Sequence, residues 1–259
     1  MRLAKMPDGN PEIYSAVQGE GKTMGKAMTF VRLSGCNLHC VWCDTYYTWN
    51  FEGTKFDNEH EKASKVKMED YQLSLTPLEV ADYIKKVSRG HNNVVFTGGE
   101  PLIQQLDIQT VLRHLGDDWY SEIETNGTMT LSQETAMFLN QINCSPKLTS
   151  SGNSKILRHN PKAIISLIRF GKSLCFKFVV RKENMKMDIQ EIEEWVKEIE
   201  TTYALPEGYL RGLVYLMPEG INPQRIVEGL QALNEVAQDK GFNVSPRLQI
   251  LTYGEKRAT

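Results

Sequence analysis

Three of the five cysteines lie within eight residues, as Cys36, Cys40 and Cys43, with the spacing C-x3-C-x2-C. A structural zinc site normally has four protein ligands, usually from two separated cysteine pairs, and this sequence has no second pair. His39 could supply a fourth ligand, but its position between two of the cysteines constrains it. A four-iron cluster held by three cysteines leaves one iron open, which suits a catalytic cluster better than a simple electron carrier. The spacing therefore favours a redox-active iron–sulfur cluster.

The composition limits the kind of protein that positions these cysteines. With 259 residues and 41% apolar content, the chain is long enough for one domain, residues 1–259, with a substantial core. Its formal charge of −2 gives no electrostatic reason to expect nucleic acid or an anionic membrane surface as a partner. No apolar stretch approaches the roughly 20 residues that span a bilayer, and residues 1–10 lack the apolar core of a signal peptide. We therefore expect a cytoplasmic protein that acts on a small molecule.

Apolar, β-branched runs alternate with longer stretches of helical period, which indicates an α/β protein with a largely parallel sheet. The predicted strands are residues 28–33, 93–97, 121–125, 141–145, 174–180, 212–217 and 247–251. The predicted helices are residues 77–88, 107–115, 132–140, 189–203 and 223–240. Thr76, followed by Glu79, is the predicted N-cap of the first helix. We expect a partial, TIM-like barrel of about six parallel strands.

Polar, glycine-containing and cysteine-containing segments follow several predicted strands. They are residues 34–43, 98–101, 126–127, 146–147 and 218–220. Because the carboxyl ends of parallel barrel strands meet at one rim, we expect a single site built from several loops. Residues 49–75 are rich in charged and amide side chains, and we expect them to form an insertion, either a lid or a solvated surface loop.

A second motif, Thr97-Gly98-Gly99-Glu100-Pro101, follows one of these strands. Two glycines let a backbone approach a ligand closely and Glu100 offers an anion for an ammonium group, although the segment alone would also suit a plain turn. Together with the cysteine spacing, the motif resembles the radical S-adenosylmethionine (SAM) superfamily. The resemblance implies that SAM binds the open iron of a [4Fe–4S] cluster, where its cleavage yields a radical that abstracts hydrogen from the substrate.

Further segments resemble the 7-carboxy-7-deazaguanine synthase family and cover most of the chain. They are Gln18-Gly19-Glu20-Gly21, Phe30-Val31-Arg32-Leu33, Gly35-Cys36-Asn37-Leu38, Trp42-Cys43-Asp44-Thr45, Glu124-Thr125-Asn126-Gly127, Ser145-Pro146-Lys147, the strand containing Lys177, and Met217-Pro218-Glu219-Gly220. The resemblance implies conversion of 6-carboxy-5,6,7,8-tetrahydropterin to 7-carboxy-7-deazaguanine with loss of ammonia, a step toward queuosine and other 7-deazapurines. It also implies a need for Mg²⁺, an external electron donor such as flavodoxin, and a homodimer.

The resemblance also assigns residues that contact the substrate and the metal ion. The implied substrate contacts are Val17, Gln18, Gly19, Glu20, Arg32 and Thr97. A guanidinium suits a substrate carboxylate, and an amide suits the mixed donors and acceptors of a pterin edge. Thr45 matches the magnesium ligand of the family, and its hydroxyl is a hard oxygen donor. Ordinary structural interpretations remain, such as a surface ion pair for Arg32 and a strand-end hydroxyl for Thr97.

The implied contacts to SAM come from several loops. They are Trp42, Cys43, Asp44, Gly99, Glu100, Ser145, Pro146, Lys147, Met217, Pro218, Glu219 and Gly220. Met217 departs from the family pattern, in which a glutamine often precedes the proline, and residues 253–259 are not assigned to the site. Two alternatives are a radical activase that makes a glycyl radical on a partner protein and a non-catalytic iron–sulfur sensor module. The segment from Gln18 to Gly21 and Thr45 argue against the activase, and the cluster of a sensor module should not cleave SAM when reduced.

Overall fold

The computed structural model of the protein describes residues 1–54 and 65–259. Its strands are β1 (Arg2–Ala4), β2 (Ile13–Val17), β3 (Ala27–Leu33), β4 (Gln72–Ser74), β5 (Asn93–Gly98), β6 (Tyr120–Thr125), β7 (Gln141–Cys144), β8 (Leu174–Val180), β9 (Val214–Pro218) and β10 (Asn243–Val244). Its α-helices are α1 (Met68–Tyr71), α2 (Pro77–Val87), α3 (Gln105–Leu115), α4 (Gln133–Ala136), α5 (Lys155–Arg158), α6 (Pro161–Phe170), α7 (Met185–Thr202), α8 (Pro223–Lys240) and α9 (Leu248–Tyr253).

In the described residues, seven strands run parallel in the spatial order β10-β9-β8-β7-β6-β5-β3. Helices cross over between them, as parallel neighbours require. β1 and β2 pair with β3 in antiparallel orientation, and β4 continues the sheet beyond β1. The path of the sheet ends at β10 on one side and β4 on the other, so the barrel is partial, as predicted from the sequence.

The alternation of side chains along each strand separates the core from the barrel interior. On β8, Phe176 and Phe178 pack against Trp195 of α7, with ring centroids 5.0 and 5.2 Å apart. Lys177 lies between these two residues in the sequence and faces the other side, where it lines a cavity. Arg32 of β3 is turned inward in the same way, while its apolar neighbours join the core. The apolar–polar pattern of a strand therefore decides which charged groups enter the interior.

Six of the seven predicted strands are confirmed, but the prediction of a strand at 247–251 is wrong because these residues form most of α9 with its N-cap. The preceding strand, β10, is only two residues long. Pro246 follows shortly after it and has no N–H to donate to a strand ladder. A short apolar run of this kind does not distinguish strand from helix by its periodicity.

Most of the predicted helices are also confirmed. Thr76 caps α2, since its hydroxyl accepts a hydrogen bond from the Glu79 N–H and its own backbone N–H donates to the Glu79 carboxylate. The helix predicted at 132–140 is shorter in the structure, where α4 ends at Ala136. Helix α6 was not predicted, although Asn160, whose side chain accepts the Ala163 N–H, and the following proline form a capping signal.

The proposed insertion at 49–75 is only partly described, because residues 55–64 lie outside the described ranges. Its two flanks are joined to each other by an isolated bridge between Phe51 and Val66, and β4 at its end pairs with β1 in the body of the protein. Among residues 1–54 and 65–259, no helix is both long and apolar enough to span a membrane.

Candidate active site

A cavity of about 290 Å³ lies at the carboxyl ends of the parallel strands. It brings together most of the residues singled out in the sequence. Those that line it are Val17, Gln18, Gly19, Glu20, Arg32, Cys36, Cys40, Trp42, Cys43, Asp44, Thr45, Thr97, Gly99, Ser145, Lys147, Met217, Pro218 and Glu219. Three others, Glu100, Pro146 and Gly220, lie outside the cavity lining in the described part of the chain. The loops that follow separate strands therefore form one site.

Each of the three clustered cysteine sulfurs accepts a hydrogen bond from a nitrogen donor. The pairs are Leu38 N with Cys36 Sγ at 3.4 Å, Asn153 Nδ2 with Cys40 Sγ at 3.4 Å, and Trp49 Nε1 with Cys43 Sγ at 3.3 Å. Cys175, which lies outside the cavity lining, accepts a longer hydrogen bond from Gln141 Nε2 at 3.8 Å, and its thiol also donates to Asn143 Oδ1 at 3.1 Å. Burial raises the pKa of the three clustered thiols, that of Cys40 to about 11. Sulfurs surrounded by N–H donors fit the thiolate ligands of an iron–sulfur cluster, in which the metal keeps the sulfur deprotonated.

Gly98 and Gly99 allow the end of β5 to pack directly against the start of the cysteine loop. Gly98 has a φ of +118°, and a Cβ on it would lie 2.2 Å from the Leu33 carbonyl oxygen. A Cβ on Gly99 would lie 2.1 Å from the Gly35 carbonyl oxygen. The two glycines therefore approach the backbone segment that leads into Cys36, and both also line the cavity.

Glu100 lies behind the cavity and its side chain is fully buried. Its carboxylate accepts hydrogen bonds from Leu102 N at 2.9 Å, Thr125 Oγ1 at 2.8 Å and Asn126 N at 2.7 Å. Burial raises the pKa of this carboxyl, whereas the two backbone N–H groups act in the opposite direction. The sequence predicted an anion that faces the cofactor, but these contacts instead join the carboxyl ends of β5 and β6.

A buried lysine joins the segments predicted to contact the substrate. Lys177 Nζ lies 2.9 Å from Glu20 Oε2 and 3.3 Å from Glu124 Oε1. Glu124 also accepts hydrogen bonds from Gln18 Nε2 at 3.2 Å and from Thr97 Oγ1 at 2.7 Å. Burial alone would lower the pKa of Lys177, but the two carboxylates raise it above its usual range. The lysine is therefore charged and fixed between two acids that line the cavity.

Arg247, the N-cap of α9, joins three other segments through one guanidinium. It donates from Nε to Glu20 Oε1 at 3.1 Å and from Nη1 to the Gly220 carbonyl at 2.7 Å, and it pairs with Asp44 through Nη2. Gln249 adds a bond from Nε2 to Glu20 Oε1 at 2.8 Å. Sequence reasoning missed Arg247 because residues 247–251 were assigned to a strand.

A second ionic cluster surrounds the buried carboxylate of Glu12. Arg32 Nε donates to Glu12 Oε1 at 2.6 Å, and Arg32 Nη2 lies 3.1 Å from the Tyr14 hydroxyl. The Tyr47 hydroxyl lies 3.1 Å from each Glu12 oxygen, and Arg257 pairs with Oε2. Residues 255–259, which the sequence left unassigned, line the cavity beside this cluster.

The loop after β7 lies against the cysteine loop. Lys147 Nζ donates to Ser145 Oγ at 2.7 Å and lies 5.4 Å from the centre of the Trp42 ring, whose Nε1 donates to the Ser150 carbonyl at 3.2 Å. Thr45 Oγ1 lies 3.6 Å from Cys43 Sγ at the edge of the same cavity. A cation, an aromatic face and a hydroxyl thus adjoin the three sulfurs.

The sequence and the fold are similar to those of known proteins. A sequence model described as the Radical SAM superfamily matches residues 30–169. The chain is 33% identical to the 7-carboxy-7-deazaguanine synthase of Pyrobaculum aerophilum over 95% of both chains. It is 31% identical to the enzyme of that name from Aquifex aeolicus, over 88% of this chain and 85% of the relative. The crystal structure of QueE from Escherichia coli shares the fold, with a TM-score of 0.63 and 21% identity over 95% of this chain and 93% of the other.

A partial barrel with three clustered cysteines at its carboxyl rim, together with the matched residues 30–169, defines a radical SAM enzyme, for which a [4Fe–4S] cluster and SAM are the cofactors. Within that superfamily the chain belongs to the 7-carboxy-7-deazaguanine synthase family. Members of this family are radical SAM lyases of 7-deazapurine biosynthesis, so the comparisons favour this enzyme over an activase or a non-catalytic sensor.

Proposed function

We propose that the protein converts 6-carboxy-5,6,7,8-tetrahydropterin to 7-carboxy-7-deazaguanine with release of ammonia. The observation that supports this proposal is the composition of one cavity, in which three N–H-bonded cysteine sulfurs adjoin a guanidinium, an amide and carboxylates. The product equals the substrate less one ammonia, so the overall reaction is redox neutral. Relatives that bear the name of this activity match most of the chain.

Cys36, Cys40 and Cys43 are the proposed ligands of the cluster. When bound, the cluster and SAM supply the electron and the hydrogen-atom abstraction that begin the rearrangement. The N–H donors on the three sulfurs stabilise their negative charge. Proposed contacts to SAM come from Trp42, Cys43, Asp44, Gly99, Ser145, Lys147, Met217, Pro218 and Glu219, all of which line the cavity. Glu100, Pro146 and Gly220 would support these contacts from behind the lining.

The substrate would be held by polar groups of opposite character at different parts of the cavity. A pterin edge presents N–H donors beside ring acceptors, and the carboxylates of Glu20 and Glu124 together with the amide of Gln18 complement such an edge. Lys177 fixes both carboxylates, and Thr97 fixes one of them. Val17 and Gly19 would contact the ring through the backbone, while Arg32 would bind the substrate carboxylate. This arrangement orients the ring before any bond is broken.

A magnesium ion is proposed beside Thr45. Its hydroxyl is a hard donor at the cavity edge, 3.6 Å from Cys43 Sγ. The neighbouring Asp44 carboxylate is paired with Arg247 and is not assigned as a ligand. Because Mg²⁺ usually keeps several waters and shares substrate oxygens, one protein ligand can suffice.

The direct test is an anaerobic turnover assay. The cluster is reconstituted, reductant, SAM, Mg²⁺ and 6-carboxytetrahydropterin are added, and 7-carboxy-7-deazaguanine and 5′-deoxyadenosine are measured by mass spectrometry. We expect the deazaguanine only when all components are present. Cleavage of SAM without the deazaguanine would refute the substrate assignment.

The cysteine assignment has a matched control within the chain. Cys40→Ala should abolish the visible absorption of the cluster, whereas Cys175→Ser should retain it because a serine hydroxyl can make the same hydrogen bond to Asn143 Oδ1. An unchanged spectrum in Cys40→Ala would contradict the ligand assignment.

The remaining parts of the proposal concern partners. An external one-electron donor such as flavodoxin would reduce the cluster, and turnover with flavodoxin and its reductase in place of dithionite tests this. A homodimer is also proposed, for which light scattering on the purified enzyme should give twice the chain mass of 29.5 kDa.

A further inference from the structure

The Glu12 cluster contains two guanidinium groups and a single carboxylate. The Glu12 side chain is completely buried, and the side chains of Arg32 and Arg257 are 15% and 27% exposed. Arg257 also stacks on Tyr47, with its guanidinium carbon 3.8 Å from the ring centre. Two arginines are thus fixed around one acid at the cavity wall.

This cluster carries one more positive charge than negative charge. Glu255 and Lys256, which also line the cavity, contribute one charge of each sign. Among the described residues, Arg257 Nε is buried without a hydrogen-bond partner. Glu12 balances only one of the two guanidinium charges. A second carboxylate in the cavity would balance the other, and its two oxygens match a guanidinium.

We propose that Arg257 is a second substrate-binding guanidinium, which acts with Arg32 on the carboxylate of the pterin and selects carboxylated substrates. Glu12 is the positioning residue, because it holds both guanidinium groups in place from behind through Arg32 Nε and Arg257 Nη2. This inference rests on the proposed function, since it assigns the substrate carboxylate to one end of the cavity.

Selectivity is best measured as a ratio of affinities. The reconstituted enzyme without reductant is titrated anaerobically with 6-carboxy-5,6,7,8-tetrahydropterin and with 5,6,7,8-tetrahydropterin, which lacks the carboxyl group. Arg257→Gln should weaken binding of the carboxylated ligand by about tenfold or more, the scale of a lost charged hydrogen bond, and should leave the carboxyl-free ligand nearly unchanged. Arg257→Lys keeps the charge without the planar fork, so it should lose less than Arg257→Gln.

Lys5→Gln is the matched control, because it removes a positive charge from a residue whose backbone carbonyl accepts from Arg257 Nη2 but which lies outside the cavity lining. It should preserve the ratio of the two affinities. Iron content and the thermal unfolding temperature establish that each variant is folded. An equal loss for both ligands in Arg257→Gln, no loss at all, or the same change of ratio in Lys5→Gln would overturn the role of Arg257. Failure of the wild-type enzyme to form the deazaguanine would instead refute the proposed function.

Discussion

The contact between Gly99 and the cysteine loop predicts a large effect of adding a single methyl group. In Gly99→Ala the new Cβ would lie 2.1 Å from the Gly35 carbonyl oxygen and 3.1 Å from Cys36 N. An ordinary carbon–oxygen contact is about 3.3 Å or longer, so the two segments must separate by about 1 Å. A misplacement of about 1 Å at a reacting centre can lower the rate on the order of 100-fold. We therefore expect Gly99→Ala to lose about two orders of magnitude in turnover, along with part of its cluster.

The assay measures iron and sulfide per chain, visible absorption, and product formation under anaerobic conditions. Gly212→Ala is the control, because a Cβ on Gly212 would have no atom within 4 Å and this residue has no positive φ. Gly212→Ala should match the wild-type enzyme in all three measurements. Wild-type iron content and turnover in Gly99→Ala would show that the contact with Gly35 does not position the cysteine loop.

Three further predictions concern charges and ligands at the site. Thr45→Val should raise the Mg²⁺ concentration needed for turnover, Thr45→Ser should not, and a normal magnesium response in Thr45→Val would remove the residue from the metal site. Lys177→Met leaves the Glu20 carboxylate without its buried partner and should lower the free energy of unfolding by about 3 kcal/mol at pH 7 in urea titrations. Lys155→Met, which breaks an exposed pair with Glu198, should lower it by less than about 1 kcal/mol. Burial alone would raise the pKa of Glu20, but Lys177 and Arg247 hold that pKa well below its usual range. The ionised Glu20 therefore stabilises the fold above about pH 4.5, and this contribution is lost as pH falls through the folded-state pKa. The loss of unfolding free energy caused by Lys177→Met should shrink over the same fall in pH.

The sequence was sufficient to predict the parallel sheet, because buried strands and amphipathic helices have different periods. It was also sufficient to predict that Cys36, Arg32 and Thr97 lie at one rim of the barrel, because each is near the carboxyl end of a parallel strand. The direction in which a side chain points after a strand ends was less predictable. Glu100 is an example: local backbone N–H groups capture its carboxylate, and periodicity carries no information about such contacts.

Groups far apart in the sequence were the part of the site that could not be predicted. Arg247 meets Glu20 across 227 positions, and Arg257 meets Glu12 across 245. Contacts of this kind depend on how the last helix packs against the barrel. That helix was not predicted, because residues 247–251 were assigned to a strand. Motifs near one another in sequence therefore identified the cysteine loop, whereas the ionic partners of the predicted substrate residues required the folded chain.

The two ionic clusters differ in net charge, and this difference has a consequence for orientation. Glu12 with Arg32 and Arg257 has an excess of one positive charge. The other group, which contains Glu20, Glu124 and Asp44 with Lys177 and Arg247, has one more carboxylate than cation. The charge of a carboxylated pterin is also unevenly distributed, since the molecule has an anion at one end and an edge of N–H donors at the other. The field between the clusters would favour a single orientation of such a ligand, which extends the proposed role of Arg257 from substrate selection to substrate orientation.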